Sequence, residues 1–235
     1  MSNKRRATST KDRAQKQDPN AALQLGALIV IALVVIGILW AIVSAQQPAN
    51  TQTNQPGSGG RSLGGGSKQY PAYPAVQIDP SKQYFAHVKM AKGGEFTLQL
   101  YPDKAPKAVN NFVFLSREGY FDGTTFHRVL EGFMAQGGDP TGTGRGGPGY
   151  KFENEDSDLV FDKPGMVAMA NAGRDTNGSQ FFITFAPQQR LNGGYTIFGQ
   201  VTEGMDVVNG LTRRNPDENP NFEGDVIESI TIDER

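Results

Sequence analysis

The stretch from Phe126 to Asp139, FHRVLEGFMAQGGD, leaves little choice of secondary structure. Phe126, Arg128 and Leu130 alternate with His127 and Val129, which is the period of a strand. After Gly132 the alternation resumes, with Phe133, Ala135 and Gly137 set against Met134 and Gln136. Two short strands therefore meet at Glu131-Gly132, a turn-type pair. Such a hairpin can bring Arg128, Phe133, Met134 and Gln136 onto one surface: a guanidinium, an aromatic wall, a thioether and an amide. That surface suits a ligand that is apolar but carries a carbonyl. The plain alternative is an ordinary hairpin with one exposed arginine.

Composition narrows the function classes. The 235 residues carry a net charge of −1, which gives no general affinity for nucleic acid. There is no cysteine, so disulfides, zinc–thiolate sites and a thiol nucleophile are excluded. The two histidines, His87 and His127, are too few for a multi-histidine metal site, and no cofactor is expected.

Charge and hydropathy divide the chain into four parts. Residues 1–20 hold six Lys/Arg against Asp12 and Asp18 and have no apolar period, the pattern of a disordered basic tail. Within residues 21–45, Leu23 to Val43 is free of charge over 21 residues. At the helical rise that is about 31 Å, enough to cross a bilayer core. The basic residues precede the span, so the positive-inside rule expects a single-pass anchor in the cell membrane, with the N-terminus cytoplasmic and the remainder outside. A cleaved signal peptide ending at Ala45 is the alternative, although a signal core runs to only about 7–15 residues. Residues 46–83 are rich in Gly, Pro, Gln and Asn and read as a flexible linker; only Tyr70 to Pro74 is stiff enough to pack on the domain or stay extended.

Residues 84–235 form the folded domain. Phe85 to Lys89 and Glu95 to Leu100 read as paired strands around Lys92-Gly93-Gly94. Pro106 to Arg117 reads as a helix: Pro106 suits its first turn, Val109, Phe112, Val113 and Leu115 give it an apolar face, and Gly119 follows its end. Short strands recur at Phe133 to Gln136, Met166 to Met169, Phe181 to Phe185, Ile197 to Val201 and Val226 to Ile232, with a short helix near Met205 to Leu211. Many short strands with two helices suggest a closed all-β barrel capped at its ends. Two further glycine-rich matches lack their context. Gly60 to Gly64 resembles a hydrolase elbow with no strand before it, and Gly142 to Gly147 resembles a dinucleotide loop with no helix after it.

A second stretch, MVAMANAGRDTNGSQFFIT from Met166 to Thr184, joins the first. Together, FHRV-x-x-GFM-x-QGGD and MANAG-x-x-TNGSQFFI resemble the signature of the cyclophilin family of peptidyl-prolyl cis-trans isomerases, from about Tyr84 to the C-terminus. The resemblance implies an eight-stranded antiparallel barrel with two capping α-helices. It also implies isomerase (rotamase) activity on proline-containing unfolded or extended polypeptides, here in a membrane-anchored bacterial form with a lipid bilayer contact through residues 23–43. By this resemblance Arg128 is the catalytic arginine. Phe133, Met134, Phe182 and Leu191 line the proline pocket, and Gln136, Ala170, Asn171 and Gln180 contact the substrate backbone or hold the arginine. His127 falls at the edge of the site or is structural. Two positions depart from the family pattern: Arg190 stands where many members have an aromatic, and Tyr195 where many have histidine. Asn177-Gly178-Ser179 fits a glycosylation sequon, but within this motif it reads as a turn with positive φ that returns Gln180 to the site. A non-catalytic module that holds proline segments, or an anchored scaffold, remains the alternative.

Overall fold

The computed structural model describes residues 68–218 and 221–235. The basic tail and the apolar span 23–43 lie outside the described residues, and so does the linker up to residue 67. Among the described residues nine strands and two helices follow in order: β1 Tyr84–Met90, β2 Glu95–Leu100, α1 Pro106–Arg117, β3 Thr125–Phe126, β4 Arg128–Leu130, β5 Met134–Gly137, β6 Met166–Met169, β7 Phe181–Thr184, β8 Ile197–Glu203, α2 Met205–Asn209 and β9 Asp225–Glu234. A 3-10 turn, Gln189–Leu191, which the sequence did not reveal, precedes β8.

All strands pair antiparallel in one sheet of order β3-β9-β1-β2-β8-β6-β7-β5-β4. The two ends of that order, β3 and β4, are halves of one backbone segment divided at His127. Thr125 pairs with Val226 of β9, while Arg128 pairs with Gln136 of β5. One segment thus meets both edges of the sheet and nearly closes it into a barrel. Counted as one interrupted strand, Thr125–Leu130 reconciles the nine strands with the eight expected.

Period-two alternation sorts the side chains into two cores. Val129, Ala135, Val167, Met169, Phe181, Ile183 and Phe198 face the interior. Their neighbours Leu130, Met134, Met166, Ala168, Phe182 and Ile197 form a second cluster on the opposite face of the same strands. Phe112 of α1 fills the interior core, with ring centroids 5.1 Å from Phe121 and 5.3 Å from both Phe181 and Phe198. Helix α1 keeps the bounds its sequence pattern predicts. Ala105 offers it no side-chain cap; Glu155 supplies one from a distant loop, accepting from the Lys107 N–H at 2.8 Å and the Ala108 N–H at 2.9 Å. Burial pushes the Glu155 carboxyl up, and these two N–H groups act against that shift.

Of the two arrangements left open for Tyr70 to Pro74, the structure has the one packed on the domain, and the contact extends to residue 83. Residues 68–83 are a strap laid on the domain. The Tyr70 N–H donates to the Pro148 carbonyl at 2.8 Å, and the Tyr73 hydroxyl to the Lys107 carbonyl at 2.8 Å. Asn110 of α1 accepts the Gln77 N–H at 2.7 Å, and Ile78 is buried. Tyr73 packs its ring against Tyr150 and Phe152, and burial raises its hydroxyl pKa to about 12. The physical reason is spacing: Tyr70, Tyr73 and Ile78 interrupt an otherwise polar stretch often enough to seat it.

Candidate active site

The site is built on the second cluster. Arg128, Gln136, Phe182 and Ala168 stand in register on β4, β5, β7 and β6, so they form one row across the sheet. The hairpin that carries Arg128 turns through Glu131-Gly132-Phe133, with the Phe133 N–H donating to the Leu130 carbonyl at 3.1 Å. Gly132 has φ of 65°, a conformation that a side chain disfavours. Phe133 therefore belongs to the turn and not to the strand, which lifts its ring to the rim.

A cavity of about 170 Å³ lies over this row. Arg128, Phe133, Met134, Gln136, Ala170, Asn171, Phe182, Leu191 and Tyr195 line it. Phe182 is its floor, stacked on Phe161 with centroids 5.8 Å apart and met edge-on by Tyr195 at 5.3 Å. Sequence reasoning missed Phe161, although an aromatic within the charged stretch 155–163 was a signal. Leu191 enters from the 3-10 turn. That loop is held from beneath: Asn192 accepts the Phe161 N–H at 2.9 Å, and Gly194 accepts from the Asn171 amide at 3.2 Å. Arg190 lays its guanidinium 4.6 Å from the centroid of the Phe133 ring, close enough for a cation–π contact at the rim.

Gln180 lies beside the cavity and acts through Gln136. The Gln136 amide donates to Gln180 at 2.8 Å, and Gln180 donates to the Gly146 carbonyl at 2.9 Å. Gly146 must be glycine, because a Cβ there would sit 2.0 Å from Asp139 Oδ1. An adjoining cavity of about 310 Å³ shares Gln136, Ala170 and Asn171 with the first and adds Arg145, Lys151 and Gln180.

His127 is not at the edge of the cavity. It is 1 % exposed, it faces away from Arg128 along the strand, and neither ring nitrogen has a hydrogen-bond partner among the described residues. Burial holds its pKa below the usual imidazole value, against the pull of Asp139. The turn expected at Asn177-Gly178 is also corrected: the positive φ falls at Asp175, at 65°. Asn177 is fully buried, donating to Asn154 at 3.0 Å, so its side chain is closed to glycosylation in the folded domain.

Arg214 escaped the sequence reading because it sits in a charged, loop-like stretch. It is 5 % exposed and bonds the His127 and Phe222 carbonyls, while its backbone exchanges two 2.8 Å hydrogen bonds with Val129. It therefore fixes the chain on both sides of Arg128.

Comparison with known proteins places this geometry. A family profile described as "Cyclophilin type peptidyl-prolyl cis-trans isomerase/CLD" matches residues 85–232. The chain is 53 % identical over 133 residues to peptidyl-prolyl cis-trans isomerase-like 1 of Mus musculus, covering 54 % of this chain and 80 % of the mouse protein. It is 48 % identical over 158 residues to a probable peptidyl-prolyl cis-trans isomerase A of Mycobacterium bovis, covering 59 % and 87 %. A crystal structure of a Cryptosporidium parvum cyclophilin-type isomerase, in the presence of the dipeptide Ala-Pro, superposes with a TM-score of 0.59 at 38 % identity, covering 63 % of this chain and 98 % of that one.

The relatives also correct the localisation. An extracytoplasmic domain on a single-pass anchor was expected, but the similar proteins include eukaryotic isomerase-like 1 proteins from mouse and Gibberella zeae. Among the described residues no helix is long and apolar enough to cross a membrane. Neither a bilayer contact nor a membrane-anchored bacterial form is supported. With the profile spanning more than half of the sequence, and with the barrel and cleft described above, the chain belongs to the cyclophilin-type peptidyl-prolyl cis-trans isomerase family.

Proposed function

We propose that the cleft over the Arg128–Phe182 row accelerates rotation about X–Pro bonds in extended or unfolded polypeptides, and so the folding steps those bonds limit. The observation that carries this reading is the coincidence of one guanidinium with an apolar cavity of about 170 Å³. A pyrrolidine ring seats on Phe182 between Met134, Phe133 and Leu191. Arg128 then stands at the open side, with Gln136 beside it to meet the substrate backbone.

The X–Pro barrier is near 18–20 kcal/mol because the prolyl nitrogen lone pair is delocalised into the carbonyl. Rotation localises that pair on nitrogen. A donor aimed at the nitrogen binds the twisted state more strongly than either planar state, which is the condition for catalysis. Guanidinium suits the task, since it stays charged and presents its donors in a rigid fork. Seating the ring while leaving the preceding carbonyl free to swing favours the twisted state further. The step transfers no proton and forms no covalent bond, so the chain's own residues suffice.

A protease-coupled assay on a proline-containing tetrapeptide tests the proposal. Catalysed conversion to the trans form that saturates with substrate supports it. Peptide binding without acceleration would leave a module that only holds proline segments.

A further inference from the structure

The described domain is acidic, with sixteen Lys/Arg against twenty-two Asp/Glu over residues 68–235. Carboxylates are abundant enough to neutralise most of its cations, and nine of the sixteen do lie within 4.0 Å of one. Of the seven that do not, four gather on the cleft face. Arg128 lines the proline cavity, Arg190 sits at its Phe133 rim, and Arg145 and Lys151 line the adjoining cavity. Glu131, Asp156 and Glu153 are already engaged, with Arg213, Arg174 and Lys107, and Asp175 accepts the Asn154 N–H at 2.8 Å. Asp139 spends its carboxylate on the Thr141 N–H at 2.7 Å, the Thr141 hydroxyl at 2.8 Å and the Gly146 N–H at 3.1 Å. A domain of net negative charge thus keeps an uncompensated positive strip along its cleft.

From this segregation we infer that the preferred substrates carry acidic side chains next to the proline, over Arg190 on one side and over Arg145 and Lys151 on the other. The inference rests on the proposed use of the cleft and adds the substrate class to it. The two cavities adjoin across Gln136, Ala170 and Asn171, so Arg145 and Lys151 flank the proline cavity through that shared wall while Arg190 flanks it at the Phe133 rim. Arg190 is exposed but rests over the Phe133 ring, so it meets a carboxylate with less ordering cost than an unrestrained side chain. The pairs are exposed, so the preference acts on encounter and binding and weakens with salt.

The test uses the full chain and three peptides, with Glu, Ala or Lys on both sides of the proline. At low ionic strength kcat/KM for the Glu peptide should exceed that for the Lys peptide by about three- to tenfold, the range of a few exposed charge pairs. The ratio should reside in KM and fall toward one in about 1 M salt, where screening extends over only ~3 Å. Arg190→Gln combined with Arg145→Gln should lower the Glu-to-Lys ratio at low salt. Equal turnover of the Glu and Lys peptides, with the Ala peptide turned over normally, overturns the acidic preference and leaves the isomerase reading standing. No turnover of any peptide overturns the isomerase reading, and anisotropy titration of labelled Glu and Lys peptides then decides the preference alone. A single-stranded RNA oligonucleotide that binds more tightly than the Glu peptide assigns the strip to nucleic acid and overturns the proposal.

Discussion

In the proposed mechanism Arg128 is the side chain on which the chemistry turns. Arg128→Ala removes a donor made useful only in the twisted state, so kcat/KM should fall by about 10²- to 10³-fold with the thermal melting curve little changed. Arg128→Lys should also be poor, because an ammonium cannot reproduce the fork; near wild-type turnover in either variant sinks the mechanism. Arg190 yields a second expectation. The cyclophilin resemblance implies that an aromatic at this position would pack against the cyclic peptide cyclosporin. Here the rim offers a guanidinium that an apolar inhibitor would desolvate without an acceptor, at a cost of roughly 1–3 kcal/mol. Weak cyclosporin inhibition is expected, and tighter inhibition for Arg190→Trp, read as inhibition constants in one assay. His127 affects stability and not the cleft. Its folded pKa lies below the usual value because it is buried, with Arg214 and Arg128 adding to the shift and Asp139 opposing it. The unfolded chain therefore binds the proton first as pH falls. Stability is full above about pH 6.5 and declines below it, by at most about 1.4 kcal/mol per pH unit. Denaturation midpoints at pH 7.5 and 5.5 should show that decline, and His127→Asn should flatten it.

Periodic elements were legible in the sequence, and their edges less so. Helix α1 kept its predicted bounds because Pro106 and Gly119 bracket an apolar face. Strand β6 did so because MVAM is a buried run between turns. The break at His127 was not legible, since alternation continues through it and only the pairing on either side changes partner. Nor was the whole strap: packing was open for Tyr70 to Pro74, but the Gln, Ala and Pro content beyond matches that of a linker although Ile78 anchors it. A fragment of residues 84–235 should lose those anchors. Removing a buried aromatic commonly costs about 3–5 kcal/mol, so that fragment should unfold well below one of residues 68–235 in a thermal melt. Equal melting temperatures would mean that the strap only rests on the surface.

Across the whole domain, one rule of alternation serves two ends. On β4 to β8 one set of side chains fills the barrel, and the intervening set builds the cleft. That explains why the hairpin's share of the candidate site was readable: Met134 and Gln136 alternate on β5 opposite Arg128 on β4, whereas Phe182 on β7 came only with the family resemblance. What stayed hidden depends on contacts distant in sequence, which no local pattern encodes: Arg214 behind Arg128, Phe161 beneath Phe182, and Glu155 at the start of α1. The closing segment Thr125–Leu130 carries a kinetic consequence. Thr125 finds its partner Val226 about a hundred positions away, and loop closure over such a distance comes late and slowly. Arg128 sits on that same segment, and the Arg214 clamp on its neighbours His127 and Val129 also comes from far along the chain, so a chain that has collapsed but not yet joined its last seam lacks a fully fixed guanidinium. Catalytic power should therefore return in a single step with the final folding phase, leaving no half-folded form that is already at work on other chains.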